Sequence, residues 1–186
     1  MERELLMSGI GGQGIQLAAE VVARAAMAGG LHVQLFGSYG GMMRGGNTEA
    51  TIVVADAAIE APPTVASAWS AIAMHPEQAG TVVRRVRPDG FLFVNTTVFD
   101  TLPDPSGATV VPVPATEIAL DCGNVMAASI VMIGAYAAVT GLVTLDALAA
   151  AIADSLPPYR VQHVAMNERA LRAGHRAGAE LAVAPR

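Results

Sequence analysis

The chain has 186 residues, of which 53% are hydrophobic, 15% charged and 4% aromatic, with a formal net charge of -5. That is one domain, 1–186, large enough for a sizeable core and apolar enough to imply further burial in a subunit interface. The acidic balance offers no basic field to nucleic acid, and the few aromatic rings leave little for bases to stack on. All eleven cationic side chains are Arg, which excludes a lysine Schiff base and the lysine of a Walker-type phosphate loop. Cys122 is the single cysteine, so neither an intrachain disulfide nor an all-cysteine zinc or iron–sulfur site can form within the chain. Low cysteine use fits a reducing, cytoplasmic setting. The acidic start, Met1-Glu2-Arg3-Glu4, does not read as a signal peptide.

In chain order, residues 4–8 read as a first strand, followed by Ser8-Gly9-Ile10-Gly11-Gly12-Gln13-Gly14 and a helix from Ile15 to Ala28. Gly9, Gly11 and Gly14 fit the G-x-G-x-x-G pattern. Such glycines permit a tight turn, and the helix start offers free N–H groups to an anion. The helix carries a polar stripe of Gln13, Gln16, Glu20 and Arg24, the last two an i,i+4 pair, and Gly29-Gly30 stop it. A second strand is expected over 31–36, a glycine-rich loop over 37–48 and a β-branched strand over 51–54. An apolar strand at 69–74 ends at His75-Pro76. A helix over about 77–86 would set Arg84, Arg85 and Arg87 near its negative end. Pro88-Asp89-Gly90 reads as a turn before the strand 91–94. After a loop at 100–107 come a short strand at 110–111 and a helix at 116–120. Gly123 to Leu145 is uncharged and long enough to span a bilayer, but it is rich in small residues and lacks a flanking Arg; it reads as a buried helix, with no membrane span. Thr144 is placed to cap a helix over 145–155, and a last helix over about 160–181 shows Arg169, Arg172 and Arg176 at helical spacing, read as a solvated face.

Strands alternating with helices imply an α/β fold, specifically a three-layer, doubly wound Rossmann-like domain with a largely parallel sheet. Ligands in such folds sit beyond the carboxyl ends of the strands, so the loops at 9–14, 37–46, 74–76 and 95–97 should gather on one edge. A dinucleotide site also wants a carboxylate at the end of the second strand; here that strand runs into Gly37-Ser38-Tyr39, which disfavours NAD. Two readings of the glycine loop stay open: a cradle for phosphate, or a turn that docks helix on sheet. Arg44, between glycines, has the planar fork that suits an oxyanion, or it pins an interface. Tyr39 is a ligand contact or a packed anchor. His75 reads as structural, the other histidines lack metal-ligand spacing, and Cys122 reads as buried packing.

Gly9-x-Gly11-Gly12-Gln13-Gly14, then Tyr39-Gly40, Arg44-Gly45-Gly46 and an apolar strand, resembles the gamma subunit of 2-oxoacid:ferredoxin oxidoreductases, and the resemblance is nearly chain-long. Phe91-Leu92-Phe93-Val94-Asn95, Pro114-Ala115-Thr116-Glu117, Gly123-Asn124, Gly134 and Asn167-x-x-Ala170-x-x-x-Gly174 carry it further. Met42 and Ser129 depart from the Glu and Asn that many members carry. The resemblance implies a non-redox subunit, inactive alone, in a complex that converts a 2-oxoacid and coenzyme A to acyl-CoA, carbon dioxide and reduced ferredoxin. Pyruvate, branched-chain (ketoisovalerate), indolepyruvate and 2-oxoglutarate versions share this subunit type. It implies that thiamine diphosphate and iron–sulfur clusters are held by partner alpha and beta subunits, or by a ferredoxin-like delta subunit. It implies for this chain a part in assembly and in coenzyme A binding. The candidate cofactor-binding set is then Gly11, Gly12, Gln13, Gly14, Ser38, Tyr39, Arg44, Gly45 and Asn95, with no catalytic or metal-binding residue. The competing reading is a stand-alone nucleotide- or acyl-CoA-binding module of the same fold.

Overall fold

A computed structural model describes residues 1–39, 46–60, 64–156 and 158–183. Six strands form one sheet: β1 (Glu2–Ile10), β2 (His32–Tyr39), β3 (Asn47–Ala55), β4 (Ala68–Ala73), β5 (Val86–Asn95) and β6 (Thr109–Val113), in the order β2-β3-β1-β4-β5-β6. The helices are α1 (Ile15–Ala28), α2 (Pro76–Val83), α3 (Ala115–Asp121), α4 (Ala128–Thr140), α5 (Leu145–Ser155) and α6 (Val164–Val183). β1, β4, β5 and β6 are mutually parallel, while β3 is antiparallel to both β1 and β2. The reversal has a simple cause. Only residues 40–46 separate β2 from β3, and a parallel return needs a crossover of roughly a dozen residues or more. The sheet is therefore mostly parallel, as expected, and the carboxyl ends of β1, β2, β4, β5 and β6 share one edge.

Most strands run longer than the sequence reading, and three differences have a clear cause. β2 runs on to Tyr39, because its hairpin partner β3 supplies Thr48 and Glu49 opposite Tyr39 and Ser38. β5 starts at Val86, with the Pro88-Asp89-Gly90 segment absorbed as an irregularity between the Ala68–Val86 and Ser70–Phe91 pairs. Helix α2 consequently ends at Val83, and the arginines beyond it do other work. Arg85 donates to the carbonyl of Val65, and Arg87 pairs with the buried carboxylate of Glu4 at 3.3 Å. Elsewhere the local signals hold. Thr144 accepts from the N–H of Ala147 at 3.2 Å, and Glu20 pairs with Arg24 at 2.7 Å.

The two faces of the sheet are covered unequally. Leu5, Met7, Ile52, Ile72 and Phe93 face a large core built with α1, α3, α4, α5 and α6. Leu6, Ala71, Leu92 and Val94 face a smaller one capped by Ala79 and Val82 of α2. Within the uncharged stretch the helix is ended by Gly141, at φ 64°, which leaves α4 with 13 residues. At 1.5 Å per residue that is about 20 Å, short of the roughly 30 Å of a bilayer core. Among the described residues no helix is long and apolar enough to cross a membrane. Helix α4 is instead wrapped by protein: Ala128 through Ala137 are all buried. Tyr136 meets Phe93 edge-on at 5.3 Å. On the other side, Gly134 lies against the carbonyl of Leu171, and Gly174 and Gly178 of α6 lie against the carbonyls of Val131 and Ala135. A Cβ at Gly178 would stand 2.6 Å from the Ala135 oxygen, so the two backbones approach as closely as glycine allows.

One polar chain crosses this core. Ser70 Oγ donates to the carbonyl of Glu4 at 2.9 Å, which leaves its lone pairs to accept from the Tyr136 hydroxyl at 3.3 Å. Burial pushes the Tyr136 phenol well above the usual tyrosine range.

Candidate functional site: a cleft over the glycine loop

Strand β1 ends at Ile10, and the chain turns through Gly11–Gly14 into α1. Gly12 and Gly14 sit at φ 106° and 74°, a region that side chains with a Cβ avoid. Gly14 is the residue that precedes α1, and no side chain caps the helix there. The first N–H groups of α1 are therefore left to face the loop, at the positive end of the helix dipole. The N–H of Gly11 is occupied, donating to the carbonyl of Gly46 at 2.8 Å. That bond ties the glycine loop to the foot of the β2–β3 hairpin. Among the described residues no hydrogen bond occupies the N–H groups of Gly12 and Gly14.

The other candidates are not brought together. Gln13 and Asn95 serve the scaffold. Gln13 accepts from the Ile10 N–H at 2.9 Å and donates to the Met74 carbonyl at 3.2 Å. Asn95, fully buried, donates to Thr116 Oγ1 at 2.9 Å and to Met74 at 3.4 Å, and accepts from the Thr116 N–H. Ser38 lies on the opposite face of the sheet. There it lines a second cleft, of about 760 Å³, with Phe36, Glu49, Thr51, Val65 and Arg85. Tyr39 contributes its backbone to the pair with Thr48. Arg44 and Gly45 lie outside the described residues, as does Met42. His75 caps α2, its Nδ1 accepting from the Glu77 N–H at 3.4 Å. Ser129, the departure noted above, donates to the Gly14 carbonyl at 3.3 Å and so moors the loop to α4.

Over the glycine loop opens a cleft of about 620 Å³. Gly11, Gly12, Gly14 and the first turn of α1 form its base, Thr48 borders it from β3, and Asn124, Met126, Leu156, His163, Met166 and Asn167 close it from the helical side. None of those last seven was a site candidate on sequence grounds. One signal was present for Asn167. With Ala170, Leu171, Gly174 and Gly178 it shares the stripe of α6 that packs inward. A carboxamide on an otherwise small and apolar packing face is out of place unless it has something to bind. Among the described residues no group of three His, Cys, Asp or Glu side chains could hold a metal ion.

Fold and cleft together define a doubly wound α/β domain whose glycine loop opens on a crevice at the carboxyl ends of its strands. The family model of pyruvate ferredoxin/flavodoxin oxidoreductase matches residues 4–177. The chain belongs to that family, as a chain of the gamma-subunit type, and works as part of an oxidoreductase complex. It is 34% identical over 165 residues to the 2-oxoglutarate synthase subunit KorC of Methanothermobacter thermautotrophicus, covering 85% of this chain and 87% of that one. Its fold matches the gamma subunit of a keto/oxoacid ferredoxin oxidoreductase from Geobacter sulfurreducens with a TM-score of 0.80 at 26% identity, covering 96% and 99% of the two chains. The fold also recurs, with a TM-score of 0.83 at 19% identity, within a 2-oxoglutarate:ferredoxin oxidoreductase from Magnetococcus marinus solved with 2-oxoglutarate, coenzyme A and succinyl-CoA bound; 96% of this chain aligns with 31% of that one.

Proposed function

We propose that this chain is the non-redox gamma subunit of a thiamine-diphosphate-dependent 2-oxoacid:ferredoxin oxidoreductase, and that its glycine loop takes a phosphate of coenzyme A. Alpha and beta subunits, with a ferredoxin-like delta subunit where one exists, hold the thiamine diphosphate and the iron–sulfur clusters, and ferredoxin accepts the electrons. The carrying observation is the start of α1: uncapped by any side chain, reached through two left-handed glycines, and open to a cleft of coenzyme-fragment size. The absence of lysine leaves Arg to supply the charge, and Arg44 follows β2, whose carboxyl end shares the edge of the glycine loop.

Assembly is the chain's other role. The half of the sheet beyond α2 presents Phe36, which is 57% exposed, beside the second cleft. An exposed aromatic ring beside a cleft that also offers Arg85 suits a subunit interface, where aromatic and Arg side chains are enriched.

The test is Arg44→Ala in the assembled enzyme. A charge-assisted hydrogen bond is worth about 1.5–3 kcal/mol, so the Michaelis constant for coenzyme A should rise roughly ten- to a hundredfold. Arg44→Lys should recover part of that, because an ammonium lacks the fork. Complex mass is measured on the same sample: failure to assemble assigns Arg44 to an interface, and an intact complex with unchanged coenzyme A kinetics removes both roles.

A further inference from the structure

The two edges of the sheet are finished differently. At one edge, β6 has only five residues, includes Pro112 and is packed by α6. A short strand, a proline and a covering helix are the devices by which native sheets refuse a further strand. At the other edge, β2 has eight residues, with no proline and no Asp, Glu, Lys or Arg. It pairs with β3 over its full length without a bulge. Among the described residues no other backbone hydrogen bond reaches 32–39. In an edge strand every second residue turns its N–H and C=O outward, and at β2 those groups face no described partner. The faces beside this edge are bare as well. Leu35, opposite Ile52, lies on the α1 side of the sheet and is 41% exposed. Phe36, opposite Thr51, lies on the α2 side and is 57% exposed.

We propose that β2 is a strand-addition site: another subunit of the oxidoreductase complex lays an extended segment along it and becomes the seventh strand of this sheet. This rests on the reading of Phe36 as part of an assembly surface and adds the mode of docking. At about 3.4 Å per residue, β2 offers a row of backbone donors and acceptors about 27 Å long. Only another strand can match such a row, because a helix spends its backbone groups internally. The chemistry of the added segment follows from the pleat. Two of its neighbouring side chains fall beside Leu35 and Phe36, on opposite faces, and are apolar. On the α2 side the next residue of β2 is Ser38, opposite Glu49, and both line the second cleft with Phe36. The Glu49 carboxylate accepts from Thr81 at 2.9 Å and Asn47 at 3.1 Å, and among the described residues it has no ion pair. A Lys or Arg on the added strand, one pleat on from the side chain beside Phe36, reaches over the small Ser38 to this carboxylate. That charge also selects the occupant. A second copy of this chain pairing through its own β2 brings no cation to Glu49, because β2 carries none.

The test uses the assembled oxidoreductase, with the full chain alone as reference. Electron cryomicroscopy of the complex should show a strand of another subunit alongside β2. A bare edge, or an edge covered by something other than a strand, overturns the proposal, and this arm needs no variant. Leu35→Lys then probes the face away from Phe36. Its melting temperature as an isolated chain should stay near that of the parent, while its affinity for the remaining subunits falls by about tenfold or more, because strand addition buries the new charge unpaired. Phe36→Glu is measured beside it. If Phe36→Glu weakens assembly and Leu35→Lys does not, the partner covers one face only: the assembly surface stands and strand addition falls. If neither variant weakens assembly, both readings fall. Self-association of the parent chain that Leu35→Lys abolishes would make the occupant a second copy, which also overturns the proposal.

Discussion

Gln13 and Asn95 donate to one carbonyl oxygen, that of Met74, from opposite sides: Gln13 from the glycine loop at 3.2 Å and Asn95 from the end of β5 at 3.4 Å. Three strand ends are thereby fastened to one atom. Gln13→Ala removes this bond and the one to the Ile10 N–H, each worth about 0.5–1.5 kcal/mol net, so a loss of about 1–3 kcal/mol is expected. Asn95→Asp should cost more, because it places a carboxylate against the Met74 oxygen at a fully buried position. Urea unfolding checks both: the midpoint should fall with the slope unchanged. An unmoved midpoint for Gln13→Ala would mean that the node contributes nothing.

The crossing of α4 and α6 gives a second expectation. Gly174→Ala drives a Cβ into the carbonyl of Val131, and α4, buried from Ala128 to Ala137, has no room to move aside for it. Overpacking of this sort costs about 1–3 kcal/mol. Arg172→Ala, two residues away on the exposed side of α6, should stay within about 0.5 kcal/mol. Thermal melts of the two variants side by side provide the comparison; equal melting temperatures would contradict the backbone contact.

Tyr136 sets a limit at high pH. Burial raises its folded-state pKa above the unfolded value near 10, so the folded chain keeps a proton that the unfolded chain releases. The stability contributed by the neutral phenol is complete below about pH 10 and drains away as pH rises toward the folded value, by up to about 1.4 kcal/mol per pH unit. Tyr136→Phe should lose about 1 kcal/mol at neutral pH, for the bond to Ser70, and then show a shallower decline in alkali. Unfolding free energies at pH 8, 10 and 11 for both chains measure the difference in slope. Parallel pH curves would remove Tyr136 as the cause.

Phe36 separates assembly from folding. It sits on an edge strand, on the face that α2 leaves bare, so a charge there burdens the folded monomer little. Phe36→Glu should leave the melting temperature of the isolated chain nearly unchanged while lowering recovery of the oxidoreductase complex on co-purification. Full recovery of the complex would place the interface elsewhere.

Much of this was legible in the chain. The glycine loop, its helix, the Gly29-Gly30 stop, the Thr144 cap and the Glu20–Arg24 pair all depend on residues within a few positions of one another, and local chemistry suffices for those. Strand direction does not work that way. β-Branching marked β3, but only the short spacing of residues 40–46 carried the information that it must run backwards. The arginines after α2 misled for a related reason: a helix C-terminus and a buried carboxylate both attract cations, and Glu4, the partner of Arg87, is far away in sequence. Gln13 and Asn95 show the same limit at the site. Their side chains resemble ligand-binding groups, yet both are spent on Met74, which the sequence gives no reason to single out. The cleft-lining Thr48 and Asn167 come from β3 and α6, and only the folded chain brings them to one place.

Helix α4 has one further consequence, which is kinetic. It has no solvent-facing side from Ala128 to Ala137, being held between the sheet and α6. Its peptide N–H groups therefore have no local route to solvent, and deuterium reaches them only when the whole domain opens. The exchange rates of Ile130 to Tyr136 should be the slowest in the chain and should agree with one another, reporting the free energy of global unfolding in the absence of denaturant. The end of α6 beyond Gly178 should exchange orders of magnitude faster, marking where the contact with α4 runs out.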